Sequence, residues 1–95
     1  MLVGSERLGG LRRSVSLLTT YISRALDRAV FDQLDDGSFV AEVPGLQGVL
    51  ATGAVLEACR AELADVIEGW VLFRVANGMA VPAIDGATVD AHSVG

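Results

Sequence analysis

The sequence predicts a small α+β domain in which a leading short helix, an antiparallel three-stranded sheet, a long helix and a short edge strand follow one another (α-β-β-β-α-β). Three observations carry this expectation. Leu18, Ile22, Ala25, Leu26 and Ala29 recur at three- and four-residue spacing, as along one face of a helix. Two short runs of strand-forming residues flank Asp35-Asp36-Gly37-Ser38, a turn composition. The stretch from Ala54 to Ala76 is helical in period throughout and meets a C-terminal stop at Asn77-Gly78.

Residues 1–16 are rich in Gly, Ser and Arg with weak apolar periodicity, and are read as a flexible arm. The leading helix then spans Leu17 to Arg28, with Thr19 or Thr20 offering a capping hydroxyl and Tyr21 half buried beside its apolar stripe. Strand, turn and strand follow, from Ala29 to Leu34 and from Phe39 to Val43. Gly37 supplies the positive φ that a tight hairpin needs. A three-residue loop of Asp36, Gly37 and Ser38 sets Phe31 against Val43 and Gln33 against Ala41 on one face. On the other face the same register sets Asp32 against Glu42 and Leu34 against Val40, with Val30 nearby.

Pro44-Gly45-Leu46-Gln47-Gly48 interrupts the sheet, because proline cannot donate to a ladder and glycine permits a sharp change of direction. Val49 to Thr52 resumes as a third strand, closed by Gly53. In the long helix Leu56, Cys59, Leu63, Val66, Ile67, Trp70, Phe73 and Arg74 mark one broad face, with Trp70 as the core's largest anchor. Gly69 inside that helix costs about 1 kcal/mol relative to Ala, which points to a close packing contact. Met79 to Ile84 forms a fourth strand that Pro82 restricts to an edge. The folded domain is therefore expected over residues 17–86, and residues 87–95 as a disordered tail.

Composition removes whole classes of function. One cysteine, Cys59, permits neither an intrachain disulfide nor a multi-cysteine zinc site, so a reducing cytoplasm is expected. No apolar run approaches the roughly 18 residues of a membrane span, and no membrane association is expected. His92, the single histidine, lies in the expected tail without triad or metal-ligand spacing. Charge is uneven: Arg7, Arg12, Arg13, Arg24 and Arg28 against Glu6 and Asp27 give the first 28 residues +3, whereas two arginines and ten carboxylates give the remainder −8. An acidic body repels nucleic acid and favours a basic partner, although ordinary solubility also accounts for it.

The candidate site is the second face of the hairpin, made of Val30, Asp32, Leu34, Val40 and Glu42. A sheet that is apolar on both sides usually has something covering each: here the leading helix, a second copy or another protein. Two carboxylates facing each other across strands are mildly destabilising, and three arrangements would relieve them. They splay apart into solvent, they hold a divalent cation, or they meet arginine or lysine from a partner. A metal nuclease needs a third or fourth acid converging on one point, and the sequence places none. No catalytic, cofactor-binding or metal-binding residue is assigned, and no cofactor is expected. Cys59 reads as a small core residue, and the Gly45 to Gly48 bend lacks the lysine of a phosphate loop.

The order Asp36-Gly37-Ser38-Phe39-Val40-Ala41-Glu42-Val43-Pro44-Gly45-Leu46-Gln47-Gly48, then Thr52-Gly53, then Leu56-Glu57-Ala58 opening a long helix, resembles the core of the HicB-like antitoxins, and Val81-Pro82 matches their later apolar-Pro strand. The resemblance covers roughly residues 29 to 85. It departs from the family at Val55, which stands where a capping Thr is usual, and at Gln47, which replaces a frequent proline. No ribbon-helix-helix or helix-turn-helix segment follows the core, so direct DNA binding does not carry over.

The resemblance implies a partial ribonuclease-H-like fold, commonly oligomeric, that covers the active site of a small basic mRNA-cleaving toxin of the HicA type. The expected function is accordingly that of an antitoxin acting by contact, not an enzyme. The alternative is a stand-alone homo-oligomeric binding module of the same fold that has no toxin. A metal-dependent nuclease stands behind both.

Overall fold

A computed structural model describes residues 17–87 and 89. Helix α1 occupies residues 17–28, followed by β1 (Val30–Gln33), β2 (Phe39–Glu42), β3 (Leu50–Gly53) and α2 (Leu56–Ala76). The strands form one antiparallel sheet in the order β1-β2-β3. The α+β architecture expected from the sequence is thus present. Residues 1–16 and 90–95, which hold the expected arm and most of the expected tail, lie outside the described residues.

The hairpin differs from expectation by two residues. Phe31 faces Ala41, Asp32 faces Val40 and Gln33 faces Phe39. The loop is Asp35-Asp36-Gly37, with the Gly37 amide donating to the Leu34 carbonyl (2.9 Å) and the Leu34 amide to the Ser38 carbonyl (2.7 Å). Gly37 has φ 88°, the left-handed residue that ends a three-residue hairpin loop. Asp36 fixes the turn by accepting from both the amide (2.9 Å) and the hydroxyl (2.5 Å) of Ser38, which draws Ser38 into the ladder and out of the loop. Because the shift is even, every side chain keeps the face assigned to it.

One core lies between the sheet and the helices. Tyr21 and Ala25 from α1, Ala41, Ala51, Val43, Leu46 and Val49 from the sheet and its bend, and Cys59, Leu63, Ile67 and Val71 from α2 are buried together. The buried α2 residues are spaced by four, so the core follows an i+4 ridge that is inclined to the helix axis. That inclination corrects the expected stripe at both ends, since it brings in Val71 and leaves Leu56 and Phe73 exposed at 48% and 62%. Trp70 is half buried, and the largest fully buried side chain is Tyr21. Gly69 packs against nothing: a Cβ there would meet no atom within 4 Å.

Close packing occurs instead at Gly53. A Cβ at that position would lie 2.7 Å from Cys59 Cα and 2.9 Å from the Ala58 carbonyl carbon, both backbone atoms. The absence of a side chain therefore lets α2 start directly against the end of β3. As the sequence suggests, Val55 at the helix N-cap makes no side-chain capping bond.

Met79 to Ile84 is not a fourth strand of the sheet. Its only ladder contact among the described residues is an isolated bridge between Ile84 and Ala87, closed by Asp85 (φ 48°) and Gly86 (φ 82°) in a tight turn. Side chains hold the segment in place. The Tyr21 hydroxyl donates to the Pro82 carbonyl, Arg74 Nε donates to the Ala80 carbonyl at 2.6 Å, and Arg28 pairs with Asp85 at 3.2 Å. Pro82 has no N–H and breaks the donor series a ladder requires, which is the physical reason the pairing fails. Val89 is buried, so the core extends past Gly86, the end of the domain expected from the sequence.

Candidate functional site

The sheet turns Phe31, Ala41 and Ala51 towards the helices, so alternation sends Val30, Asp32, Leu34, Val40, Glu42, Leu50 and Thr52 to the opposite face. All five residues singled out in the sequence therefore share one surface. Val30 and Leu34 are 44% and 45% exposed, Val40 is half buried, and Asp32 and Glu42 are exposed. Neither described helix covers this face, because the buried residues of α1 and α2 belong to the core on the other side.

The corrected register changes how the two acids relate. Asp32 lies opposite Val40, while Glu42 lies opposite Val30 on β1 and opposite Leu50 on β3. The carboxylates are thus diagonal neighbours, spaced by roughly 7–8 Å at their Cα atoms in a regular ladder, which removes most of the repulsion of a direct pair. Among the described residues the one ion pair is Arg28 with Asp85, which leaves out both acids. No group of three or more metal-ligating side chains gathers there among the described residues.

Val30, Asp32, Val40, Ala41, Glu42 and Leu50 border a shallow groove of about 210 Å³. Glu42 and Leu50 also border a second, open concavity of about 450 Å³ formed by the bend from Val43 to Val49. Leu34, at the hairpin end, borders neither. Sequence reasoning missed Thr52 and Leu50 on this face, of which Leu50 borders both concavities. It is 56% exposed, and alternation along Val49 to Thr52 reveals it once the third strand is registered against the second. The bend itself is pinned by Trp70, whose indole N–H donates to the Gln47 carbonyl at 3.1 Å while the Arg74 guanidinium lies 4.8 Å from the ring centre.

Three groups elsewhere are shifted by their surroundings. Burial pushes the Cys59 thiol up, and its Sγ lies 3.8 Å from the Ala51 carbonyl, which suits a core thiol better than a nucleophile. Burial also raises the Tyr21 hydroxyl, partly opposed by the Arg74 charge. The hydrogen bonds from Ser38 lower the Asp36 carboxyl. His92 lies outside the described residues. This surface offers two carboxylates set among aliphatic side chains, suited to cationic side chains with apolar stems.

Comparison with known proteins agrees with this architecture. No curated protein matches the chain. Among solved structures, the crystal structure of TTHA0281 from Thermus thermophilus is similar at a TM-score of 0.72 and 33% identity, covering 78% of this chain and 93% of that one. The UPF0150-like family model matches residues 20–82, from within α1 to Pro82. The chain therefore belongs to the UPF0150-like family, which is related to the HicB-like antitoxins.

Proposed function

We propose that the chain is a HicB-like antitoxin core that neutralises a small basic, mRNA-cleaving toxin of the HicA type by binding it on the outer sheet face. The observation that carries the reading is the placement of Asp32 and Glu42 among Val30, Val40 and Leu50 on a face that no described helix covers. Aliphatic side chains supply desolvated area, and the carboxylates steer and orient a cationic surface. Family membership and the acidic balance from residue 29 onward support the same reading. It requires no catalysis by this chain, no cofactor and no contact with nucleic acid or membrane. No described helix is long and apolar enough to cross a membrane. The reading locates the protein in the cytoplasm, where mRNA is the target, and has several copies assembling.

The test is to purify the chain with the product of any small reading frame adjacent to its gene. A stoichiometric complex that suppresses RNA cleavage by that product is expected, with Glu42→Arg breaking it while circular dichroism stays unchanged. An intact complex with the Glu42→Arg chain would remove the outer face from the proposal. If no neighbouring product binds, the antitoxin role itself fails.

A further inference from the structure

The C-terminal end of α2 carries a reactive pair that the sheet face does not involve. Helix α2 ends at Ala76 with Asn77 as its C-cap, and Gly78 follows in the left-handed region at φ 67°. Both residues are exposed, so water reaches them. The order sets a carboxamide one residue before a main-chain nitrogen that no Cβ shields, since glycine has none. That nitrogen can attack Asn77 Cγ. A bond forms from the Gly78 nitrogen to Cγ as its proton passes to solvent base. The Cγ–Nδ2 bond breaks, and Nδ2 leaves as ammonia with a proton from solvent. Water then opens the five-membered imide. Opening at the Cγ side leaves aspartate, whereas opening at the main-chain side leaves isoaspartate, whose backbone runs through Cβ and Cγ and is one carbon longer.

The fold restrains both reacting groups. Asn77 Nδ2 donates to the Phe73 carbonyl at 2.7 Å, which holds the carboxamide back along the helix. The Gly78 amide donates to the Val75 carbonyl at 3.2 Å, which ties down the attacking nitrogen. Asn77 has ψ 11°, so the Gly78 nitrogen is eclipsed with the Asn77 nitrogen, while ring closure needs it beside Cβ. The residues that follow lock this arrangement. The Met79 amide donates to the Arg74 carbonyl at 2.8 Å, and Arg74 Nε donates to the Ala80 carbonyl at 2.6 Å. Attack therefore waits on opening of the helix end.

We infer that Asn77–Gly78 is a deamidation site gated by the grip on Met79 to Ile84, and that its product keeps the gate open. The new carboxylate lies at the negative end of the α2 dipole, lacks the donor to Phe73, and competes with the Ala80 carbonyl for Arg74. The extra carbon of isoaspartate also displaces Met79 from the Arg74 carbonyl. The reaction needs only water and is independent of what binds the sheet face.

Peptide mapping by mass spectrometry, on the full chain aged in mildly alkaline buffer, tests the site. Deamidation at Asn77 is expected, roughly tenfold slower in the folded chain than in urea, because only the opened fraction reacts. Arg74→Gln, with an unchanged circular dichroism spectrum, should speed it several-fold, and Tyr21→Phe serves as a second loosening variant if Arg74→Gln unfolds. Aged chains separated by their added charge should exchange the amides from Met79 to Ile84 faster than parent chains, with β1 to β3 unmoved. Absence of deamidation at Asn77 in the folded chain, equal rates folded and in urea, or a rate that neither variant changes would overturn the gated site. Unaltered exchange in the aged chains would overturn the claim that the product keeps the gate open.

Discussion

One side chain and one missing side chain control more of this fold than their size suggests. Gly53 is required because backbone atoms of Ala58 and Cys59 occupy the space of its Cβ. Gly53→Ala should therefore push α2 off the strand end and lower stability by about 1–3 kcal/mol, measured as the urea midpoint. Tyr21 is the only tyrosine, so tyrosinate absorbance reports on it alone. Its side chain is buried and its hydroxyl donates to Pro82, and Tyr21→Phe should cost about 1 kcal/mol. Its folded-state pKa is raised above the ordinary value of 10.0, so the neutral form favours the fold. That contribution is complete below pH 10 and disappears as pH rises through the folded value. Alkaline titration should thus show tyrosinate forming later than in the denatured chain, and Tyr21→Phe should flatten the accompanying loss of stability.

Among the elements, α2 begins without a side-chain cap, because Val55 offers no acceptor to the first-turn amides. Val55→Thr should add about 1 kcal/mol, read as a higher melting temperature with an unchanged spectrum. Should the melting temperature stay put, the extended Val55 backbone is not held where a hydroxyl can reach the first turn. The helices are legible in the sequence because their periods are long enough to average over exceptions. The hairpin faces are legible too, since alternation depends only on parity. The register is not, because Ser38 has the composition of a loop residue while its bonds to Asp36 draw it into the ladder. Trp70 and Phe73 mislead for a geometric reason: hydrophobicity marks them as core, but the inclined contact ridge leaves Trp70 at its margin and Phe73 outside it. The fourth strand fails because Val81 and Ile84 have strand composition but Pro82 lacks the donor a ladder needs. Parity alone puts the five candidate site residues on one face, whereas the direct pairing of Asp32 with Glu42 depends on the register and falls with it.

At the scale of the whole molecule, opposite surfaces are specialised: the sheet shows an aliphatic and acidic face outward, and α2 shows a strip that grades from anionic to apolar. If the sheet face steers a basic toxin, Asp32→Asn with Glu42→Gln should slow association and flatten its dependence on ionic strength, as stopped-flow mixing would show. An unchanged salt dependence would place the steering charges elsewhere. The helices are joined by an unusual route. The Met79 to Ile84 segment has no strand partner in the sheet among the described residues, yet Tyr21 of α1 holds its Pro82 carbonyl and Arg74 of α2 holds its Ala80 carbonyl. Two donors from different helices thus share one short length of backbone, like two hands on the same cord. Loosening either grip frees carbonyls that the other side chain cannot reach. A protease that cuts between Met79 and Ile84 would therefore sever the one short stretch of backbone that both helices grip, while the shared core still joins them.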